Sequence, residues 1–441
     1  MQVNPVPRCF LVCALVSALA APAAAQVLIT NGTAPPGEPA GTDFVRVVSK
    51  MQHSAAHRAD GSVVLWGNNA YGQCNLPPLP PGLSWTQVST GTSHTMARRS
   101  DGAVVGCGRN DSGQSNAPPL PPGVALVAVD ASNDWNLGLR SDGRVVVWGG
   151  NPGGPLHTTL PTAADFVAIA AGSGHALALR SDGTVVAWGG NYDGQLNTPV
   201  LGPGQAYTAI AAGAQFSAAL RSDGAAVVWG SPGYGLQNLP ALGPGQRWVR
   251  LASGYYQVIA WRNDGAVFMA GLAWHWLTPP PANHDYVGVA WGWDHVHWLA
   301  APHVAAGYTS LGPGCPGSAG ASMLTATQPP TLGNTFTCQV DHVPQGLAAL
   351  LSGLDAVNSP FGPLPIDLSF LGMTGCLGRI RTDVTQVAPS TAGIATFALA
   401  VPWRSELLGF RFYQQALLPD AAANPAGLVL SEARAAVVGL Y

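Results

Sequence analysis

Four histidines stand in equivalent places along the chain and are the residues best suited to metal binding or proton transfer. His53, His94 and His175 each precede an Asp-Gly pair by seven residues, and His295 occupies the corresponding place further on. Imidazole is a common metal ligand, but positions that recur at such long intervals belong to separate structural units. We therefore predict structural histidines that hydrogen-bond between neighbouring units. Other residue types fill the same place elsewhere: Trp135, Phe216 and Gln257.

A second arrangement, His295-Val296-His297, has the short spacing of some metal sites. We take its two side chains to point to opposite faces of a β-strand, which would prevent them from binding one metal ion together. The chain also has no Cys-x-x-Cys motif, the spacing typical of a structural zinc site. The sequence therefore predicts no metal site.

Acidic side chains that could serve in catalysis are scarce. Glu38 is the only glutamate before the C-terminal region, so the glutamate pair of a typical glycoside hydrolase cannot be assembled there. Lys50, the only lysine, follows no glycine-rich phosphate-binding loop, and no Gly-x-Ser-x-Gly motif occurs. Pairs of aspartates stay conceivable, drawn from Asp111, Asp134, Asp193 and Asp294. We predict a protein that is not an enzyme and binds no cofactor.

The residues above are positioned by a sequence repeat with a period of about 41 residues. Its clearest marker is a series of Asp-Gly pairs, which follow one another at intervals of 41, 41, 40, 41 and 41 residues: Asp60-Gly61, Asp101-Gly102, Asp142-Gly143, Asp182-Gly183, Asp223-Gly224 and Asp264-Gly265. In the copy at Val167–Pro199, the alternating segments ALALR and TVVAWG flank Ser-Asp-Gly, which predicts a β-hairpin. A third predicted strand, VAIAAG, precedes the hairpin.

Units made of three or four short strands cannot bury both faces alone, so neighbouring units must stack. Closing such units into a ring removes long exposed edges, which indicates a β-propeller. The inner strands recur a seventh time at Val287–Ala300, where the Asp-Gly hairpin is absent. The segment Gln26–Gly32 has the pattern of the missing strand. We predict a seven-bladed propeller whose N-terminal strand completes the last blade.

The motif GxxH…ALRSDGxVVxWGxNxxGQ at Gly172–Gln195 resembles the compact form of the RCC1 repeat. The short period is similar to that of secreted bacterial propellers of this superfamily, which include a β-lactamase inhibitor. The resemblance covers roughly Gln26–Ala300 and implies the propeller fold. It implies no single function, because members of the superfamily bind very different partners.

The N-terminus has the features of a secretory signal peptide. Arg8 precedes an apolar run, and Ala23-Ala24-Ala25 supplies small residues for cleavage. We therefore expect export to the cell surface, the periplasm or the medium. Charged residues are only 9% of the chain and form no basic run, which disfavours nucleic-acid binding. No later apolar stretch is long enough to cross a membrane, and we expect a monomer.

The repeat stops after Ala300, and a second, smaller β domain is predicted. Strands are expected in six segments: Thr335–Val343, Asp367–Leu371, Gly375–Val384, Gly393–Val401, Leu408–Leu417 and Leu428–Leu440. These favour a β-sandwich. The predicted divisions are a signal peptide at 1–25, the propeller at 26–303, a linker at 304–320 and the sandwich at 321–441.

The C-terminal domain resembles a module of many secreted planctomycete-type proteins, through its GCPGS start, the Gly375-Cys376-Leu377 triplet and the segment LGFRFYQQA. That module carries no activity that could be transferred to this chain. Cys315 and Cys376 are the favoured disulfide pair, although Cys338 could replace either of them.

The two ends of the repeat units differ in how much they vary between copies. The Asp-Gly ends hardly change, whereas the loops at the other end carry aromatic and acidic residues: Tyr71, Asp134, Tyr192, Asp193, Tyr234, Tyr255, Tyr256, Trp274, Trp276, Trp293 and Asp294. An invariant scaffold with variable loops is how repeat proteins present a binding surface. We predict binding of a protein, or of a glycan, at this end. Two alternatives stay open: an enzyme that acts on extracellular polysaccharide, and a structural module of the cell surface or matrix.

Overall fold

The computed structural model describes the repeat region almost completely and the C-terminal region in part. The described residues are 26–150, 154–272, 278–292, 295–304, 306–312, 315–318, 320–332, 334–343, 346–353, 358–359, 362–363, 366–368, 373, 377–378, 384–401, 411–426 and 428–438. The predicted signal peptide at 1–25 lies outside them. One compact unit covers Ala24–Pro302, and a second contains His303–Tyr441. No helix among the described residues is long and apolar enough to cross a membrane.

The first unit consists of seven three-stranded antiparallel sheets. Each of the first six blades has its inner, middle and outer strands in chain order. Blades one to three are β2 Phe44–Lys50, β3 His53–Arg58 and β4 Val63–Gly67; β5 Trp85–Thr90, β6 His94–Arg99 and β7 Val104–Gly108; β8 Leu126–Ala131, β9 Trp135–Arg140 and β10 Val145–Gly149. Blades four to six are β11 Phe166–Ala171, β12 His175–Arg180 and β13 Val185–Gly189; β14 Tyr207–Ala212, β15 Phe216–Arg221 and β16 Ala226–Gly230; β17 Trp248–Ser253, β18 Gln257–Arg262 and β19 Val267–Gly271.

The seventh blade combines both ends of the repeat region. Its inner and middle strands are β20 His284–Trp291 and β21 His295–Pro302, and its outer strand is β1 Val27–Gly32. β1 runs antiparallel to β21 from the pair Val27/Ala300 to the pair Gly32/His295. The inner strand β2 of blade one packs against β20 and β21, so the ring is closed. The predicted seven-bladed propeller and its N-terminal closing strand are confirmed.

Each Asp-Gly pair forms the turn between the middle and outer strands. The glycines have φ between 78° and 87°, the left-handed region that glycine adopts without steric cost. The glycine of each pair, and not the aspartate, takes this conformation. The aspartate instead accepts a backbone N–H two residues on, as in Thr184 N to Asp182 Oδ1 at 2.8 Å. In four turns it also pairs with an arginine of the middle strand: Arg99–Asp101, Arg140–Asp142, Arg221–Asp223 and Arg262–Asp264.

Apolar packing between neighbouring blades forms the core of the propeller. In one cluster, Leu137 and Val147 of blade three pack with Phe166, Ala176 and Trp188 of blade four. Burying each large apolar side chain contributes about 1.5–3 kcal/mol. The tryptophans near the ends of four outer strands are all buried: Trp66, Trp148, Trp188 and Trp229.

Two short helical segments interrupt the links between blades. A single helical turn, α1, covers Pro155–Thr158, and a 3₁₀ turn covers Gly233–Gly235. The 3₁₀ turn contains Tyr234 with φ of 63°, an uncommon conformation for a residue with a side chain.

The second unit is built around an eight-stranded sheet in the order β22-β35-β34-β27-β32-β33-β26-β25. These strands are β22 Gly307–Gly312, β25 Leu324–Gln328, β26 Thr335–Val340, β27 Leu347–Gly353, β32 Val384–Thr391, β33 Ile394–Ala400, β34 Arg411–Pro419 and β35 Leu428–Val437. Six two-residue strands pair into three small ladders: β23 Pro316–Gly317, β24 Gly320–Ala321, β28 Asn358–Ser359, β29 Gly362–Pro363, β30 Ile366–Asp367 and β31 Leu377–Gly378.

The strand β32 connects two halves of this sheet that pack on each other. Its first part pairs with β27 and its last two residues pair with β33. The ring of Phe336 in β26 lies 5.3 Å from that of Tyr308 in β22 and 5.8 Å from that of Phe412 in β34. The predicted β-sandwich is thus formed by one folded-over sheet. Residues 307–312, which we assigned to a linker, form its strand β22.

The cysteines give a partial answer about disulfide bonding. Cys74, Cys107 and Cys338 are free thiols, so Cys338 does not take part in a C-terminal disulfide. Burial raises the pKa of the Cys338 thiol to about 12. Cys376 lies outside the described residues, and its pairing with Cys315 stays a prediction.

Candidate functional site

The two ends of the propeller differ as the repeat pattern predicts. At one end, the loop between inner and middle strands meets the segment that follows the outer strand. Asp134 O, for example, accepts the N–H of Gly150 at 2.8 Å, and Gly174 O accepts that of Gly190 at 2.8 Å. We call this end the variable face, formed by residues 51–52, 68–73, 91–93, 109–114, 132–134, 172–174, 190–195, 213–215, 231–236 and 254–256. The opposite end carries the Asp-Gly turns, and we call it the turn face.

The regularly spaced histidines link adjacent blades. The Nε2 atoms of three of them lie within hydrogen-bond distance of a polar side chain in the next blade: His53 to Thr95 Oγ1 at 2.9 Å, His94 to Asn136 Oδ1 at 2.8 Å and His175 to Ser217 Oγ at 3.0 Å. Burial lowers the pKa of His53 and of His175 to about 4. Both imidazoles are therefore neutral at physiological pH, and the structural role predicted for this position is confirmed.

The glutamines of the repeat complete this network. The Gln195 carbonyl oxygen accepts both Ser217 Oγ at 2.8 Å and Trp229 Nε1 at 2.9 Å. Its side chain turns back and accepts the Asp193 N–H at 2.9 Å. Equivalent bonds recur at Gln114, whose carbonyl oxygen accepts from Asn136 and Trp148. The hydrogen bonds of these glutamines therefore hold the loops of the variable face in place.

The His295-Val296-His297 segment corrects our reading of its geometry. The two rings lie on the same side of β21, 4.7 Å apart, because alternate residues of a strand share a face. His295 Nε2 lies 3.3 Å from Ser54 Oγ, and His297 Nε2 lies 2.9 Å from the same oxygen. Burial and the neighbouring His295 lower the pKa of His297 to about 3. Within the described part of the chain, no cluster of three or more His, Cys, Asp or Glu side chains could hold a metal ion.

Three of the predicted binding residues come together as an aromatic cluster between blades five and six. The ring of Tyr234 lies 4.7 Å from that of Tyr256, and the ring of Tyr255 lies 4.6 Å from that of Tyr256 in an edge-on arrangement. Tyr234 is 52% exposed. Burial and the two neighbouring phenols raise the pKa of Tyr256. We call these three residues the tyrosine cluster.

A second group lies between blades one and two. The Arg109 guanidinium is 5.7 Å from the centre of the Tyr71 ring and 2.7 Å from Asp111 Oδ2. The hydrogen bond to Asp111 raises the pKa of Arg109, with a smaller contribution from Asp134. This group combines an aromatic ring with an ion pair. The sequence singled out Tyr71 and Asp134 but gave no sign that Arg109 lies over the tyrosine ring.

The remaining predicted residues are separate from these groups or outside the described chain. Tyr192 is 91% exposed on blade four, next to Asp193. Four predicted residues lie outside the described residues: Trp274, Trp276, Trp293 and Asp294. The predicted residues therefore occur at several places around the variable face, with the tyrosine cluster as the most compact group of aromatic side chains.

Sequence reasoning missed a cavity on the propeller axis. Its volume is about 550 Å³, and the inner strands of all seven blades line it. Tyr255 and Tyr256 of the tyrosine cluster also line this cavity. Lys50 reaches into it, and its Nζ donates to Ala131 O at 2.8 Å and to Ala171 O at 3.3 Å. The available signal was that the only lysine of the chain stands where every other copy has a glycine or a serine.

Comparison with known proteins identifies the repeat. Residues 85–114, 166–195 and 207–236 match the family model of the regulator of chromosome condensation (RCC1) repeat. The chain therefore contains RCC1 repeats, and the expected resemblance is confirmed. No curated protein matches the chain in sequence at a significant level.

Three solved structures have a similar fold. Yeast RCC1 (Prp20), solved bound to Kap60, has a TM-score of 0.55 and 16% identity over 69% of this chain and 95% of that one. Prp20p from Saccharomyces cerevisiae, described with its binding properties to Gsp1p and histones, has a TM-score of 0.54 and 18% identity over 64% and 92%. Human WBSCR16 has a TM-score of 0.51 and 18% identity over 64% and 100%. These likenesses show the fold.

Proposed function

We propose that this chain is an exported, non-catalytic binding protein that binds a protein partner through the variable face of its propeller. The observation that carries the proposal is the tyrosine cluster. Three aromatic rings pack against one another at the surface, and the Tyr234 backbone has the left-handed φ of 63°. Uncommon backbone conformations of this kind concentrate at functional sites.

The chemistry of the cluster suits protein recognition. Tyrosine supplies a large contact area with few rotatable bonds, and aromatic residues dominate the energetics of protein interfaces. The mutual packing of Tyr234, Tyr255 and Tyr256 restricts their rings before a partner binds. Less side-chain entropy is then lost on association.

The comparisons support a binding role of this general kind. Prp20p, a propeller of the same fold, is described with binding properties to Gsp1p and histones. The identity to Prp20p is low, so this likeness does not identify the partner of this chain. The apolar N-terminal segment at 1–25 favours export, so we look for the partner among extracellular and envelope proteins.

Differential capture from a native extracellular extract tests the proposal. The bait proteins are the wild type, the double variant Tyr255→Ala/Tyr256→Ala and the control Arg144→Ala, whose exposed side chain lies on the turn face. A partner of the tyrosine cluster is retained by the wild type and the control. The double variant should bind it at least ten-fold more weakly, since a truncated interface hot spot costs about 2 kcal/mol or more.

Three outcomes would contradict the proposal. Equal retention by all three proteins would remove the tyrosine cluster from the site. Loss of binding by Arg144→Ala alone would move the site to the turn face. Turnover of an extracellular polysaccharide that depends on Asp134 or Asp193 would favour the alternative of an enzyme. Retention of a glycan in place of a protein would support binding at the variable face but would contradict a protein partner.

A further inference from the structure

Lys50 departs from the repeat in a way that points to a role of its own. It is the only lysine in 441 residues. It stands one residue beyond the equivalent position at which the inner strands of the other blades end. Equivalent positions in the other blades hold Gly91, Ser132, Gly172, Gly213, Gly254 and Gly292. At Gly91 and Gly172 an added Cβ would lie 2.3 Å and 2.4 Å from the ring of the structural histidine. Small residues are therefore required at this place in an ordinary blade.

Blade one accommodates the lysine by a change in its backbone. The next residue, Met51, has φ of 53°, a left-handed conformation that residues with side chains rarely adopt. Lys50 pairs with His53 at the end of the β2–β3 ladder, which lengthens the inner strand to this point. Departures from the local rules of a repeat concentrate at functional sites.

The surroundings of Lys50 Nζ fit a neutral amine. Two carbonyl oxygens, Ala131 O and Ala171 O, accept from it at 2.8 Å and 3.3 Å. A neutral amine has two N–H groups and one lone pair, so both of its hydrogens find acceptors. The nearest carboxylate, Asp130, is engaged elsewhere: its Oδ2 accepts the Ala171 N–H at 2.8 Å and its Oδ1 accepts Ser89 Oγ at 3.3 Å.

The axial cavity offers space beside this amine. Its volume of about 550 Å³ lies within the range of small-molecule sites, about 300–1,000 Å³. Apolar side chains from four inner strands contribute to its wall: Val129, Ile169, Ile210 and Val289. Lys50 is half-buried and belongs to the lining of this cavity. A small, mainly apolar molecule can therefore reach the amine.

We propose that the axial cavity is a site for a small aldehyde or ketone, which Lys50 captures reversibly as an imine. Tyr255 and Tyr256 also line this cavity, but the proposal does not depend on the proposed partner binding. Lysine is the side chain that forms Schiff bases with carbonyl compounds when it is desolvated in an apolar pocket.

The reaction needs no oxidant, reductant or metal. The Nζ lone pair forms a bond to the carbonyl carbon, and the carbonyl π electrons move to oxygen. The oxygen takes up a proton and the nitrogen loses one, which gives a carbinolamine. Loss of the hydroxyl group with a proton as water forms the C=N bond. One amine and one carbonyl compound thus become one imine and one water.

Electrostatics favours the reactive form of the amine. Burial lowers the pKa of Lys50, and Asp130 on β8 opposes this shift. Arg46 of the same strand also lines the cavity. More of Lys50 is therefore unprotonated near pH 7 than of an ordinary surface lysine.

Reductive trapping with benzaldehyde tests the proposal on the full chain. The protein is incubated at pH 7 with benzaldehyde and cyanoborohydride, and the adduct is located by peptide mass mapping. The α-amino group is the only other kind of primary amine, and mapping separates the two sites. We expect Lys50 to be labelled several-fold faster in the folded protein than in urea, because burial lowers the pKa of the amine and so raises its unprotonated fraction near pH 7. Labelling of folded Lys50 at the same rate or more slowly would overturn the proposal.

A variant provides the matched control. Lys50→Arg replaces the amine with a guanidinium group, which can donate to the same carbonyls but is no amine nucleophile. Its benzaldehyde adduct should be confined to the α-amino group. A rate of labelling that reaches half its maximum at the ordinary lysine pKa of about 10.4 would also contradict the proposal, which requires a lower midpoint. Comparison of folded and unfolded wild type decides the matter even if the variant fails to fold.

Discussion

At the scale of single residues, one position of the middle strand determines how adjacent blades are joined. His175 Nε2 lies within hydrogen-bond distance of Ser217 Oγ in the next blade. Ser217 Oγ in turn donates a hydrogen bond to Gln195 O. In the following copy, the same two positions hold Phe216 and Val258, both fully buried. The repeat therefore uses either a polar or an apolar pair at the same interface.

This alternation predicts the result of a double-mutant cycle. His175→Phe alone removes the imidazole and leaves Ser217 with one partner fewer, which should lower the free energy of unfolding by about 1–3 kcal/mol. Adding Ser217→Val copies the apolar pair of the next interface and should recover much of the loss. Urea unfolding of the two single variants and the double variant measures the coupling. Simple additivity of the two losses would show that the positions do not interact.

The buried histidines of the middle strands, which include His57 of β3, predict how stability depends on pH. The folded-state pKa of His53, His57 and His175 is lowered to about 4, whereas the unfolded value is about 6.5. The unfolded chain therefore binds more protons between these values, and stability falls as the pH drops from about 6.5 toward 4. Each histidine should contribute on the order of 2–3 kcal/mol to this loss. Urea midpoints measured from pH 8 to pH 4 check the trend, and His175→Phe should reduce it. A stability that rises over this range on acidification would contradict the account.

At the scale of strands, the closing strand β1 is the element on which the ring depends. It supplies the outer strand of blade seven, and Thr30 joins the buried network by lying 2.6 Å from His297 Nδ1. Thr30 also donates a hydrogen bond to Glu38. Without β1, blade seven would keep only two strands and an exposed edge.

Proline in β1 should therefore open the closure. Ile29 pairs with Trp298, and Ile29→Pro removes a backbone N–H and disturbs the ladder, with an expected loss of roughly 3 kcal/mol. Val200→Pro is the matched control, because Val200 is 98% exposed and outside any strand. Thermal unfolding should show a lower Tm for Ile29→Pro only. Equal Tm values for both variants would mean that β1 contributes little to the ring.

Strand patterns in the sequence predicted the two units with unequal success, for physical reasons. The propeller strands recur six times beside turn signals, so each copy supports the others. In the C-terminal unit each strand occurs once, and β25, β27 and β32 were not predicted. Residues 307–312 contain two glycines and were assigned to a linker, although pairing with β35 makes them a strand. Tertiary pairing overrides weak strand propensity in such segments.

The candidate site was predictable only in its location. Variation between copies indicated one end of the blades and residues such as Tyr234 and Tyr256, whose rings lie 4.7 Å apart. The packing of their rings and the approach of Arg109 to Tyr71 depend on contacts between blades, which no single repeat encodes. Lys50 was visible as the only lysine, but its contacts with Ala131 and Ala171 require a closed ring. Residues far apart in sequence meet there across the axis.

At the scale of the whole molecule, the propeller combines an invariant scaffold with one variable end. The Asp-Gly turns and the histidine and glutamine networks hold seven blades in a ring, and the exposed aromatic rings lie on the variable face. The central claim is that a partner binds at this face. Hydrogen–deuterium exchange of the propeller with and without a captured partner tests it most directly.

The account predicts that the partner slows exchange in the variable-face segments 231–236 and 254–256 and leaves the turn at 142–144 unchanged. Protection of the turn face with unchanged exchange in both variable-face segments would contradict it.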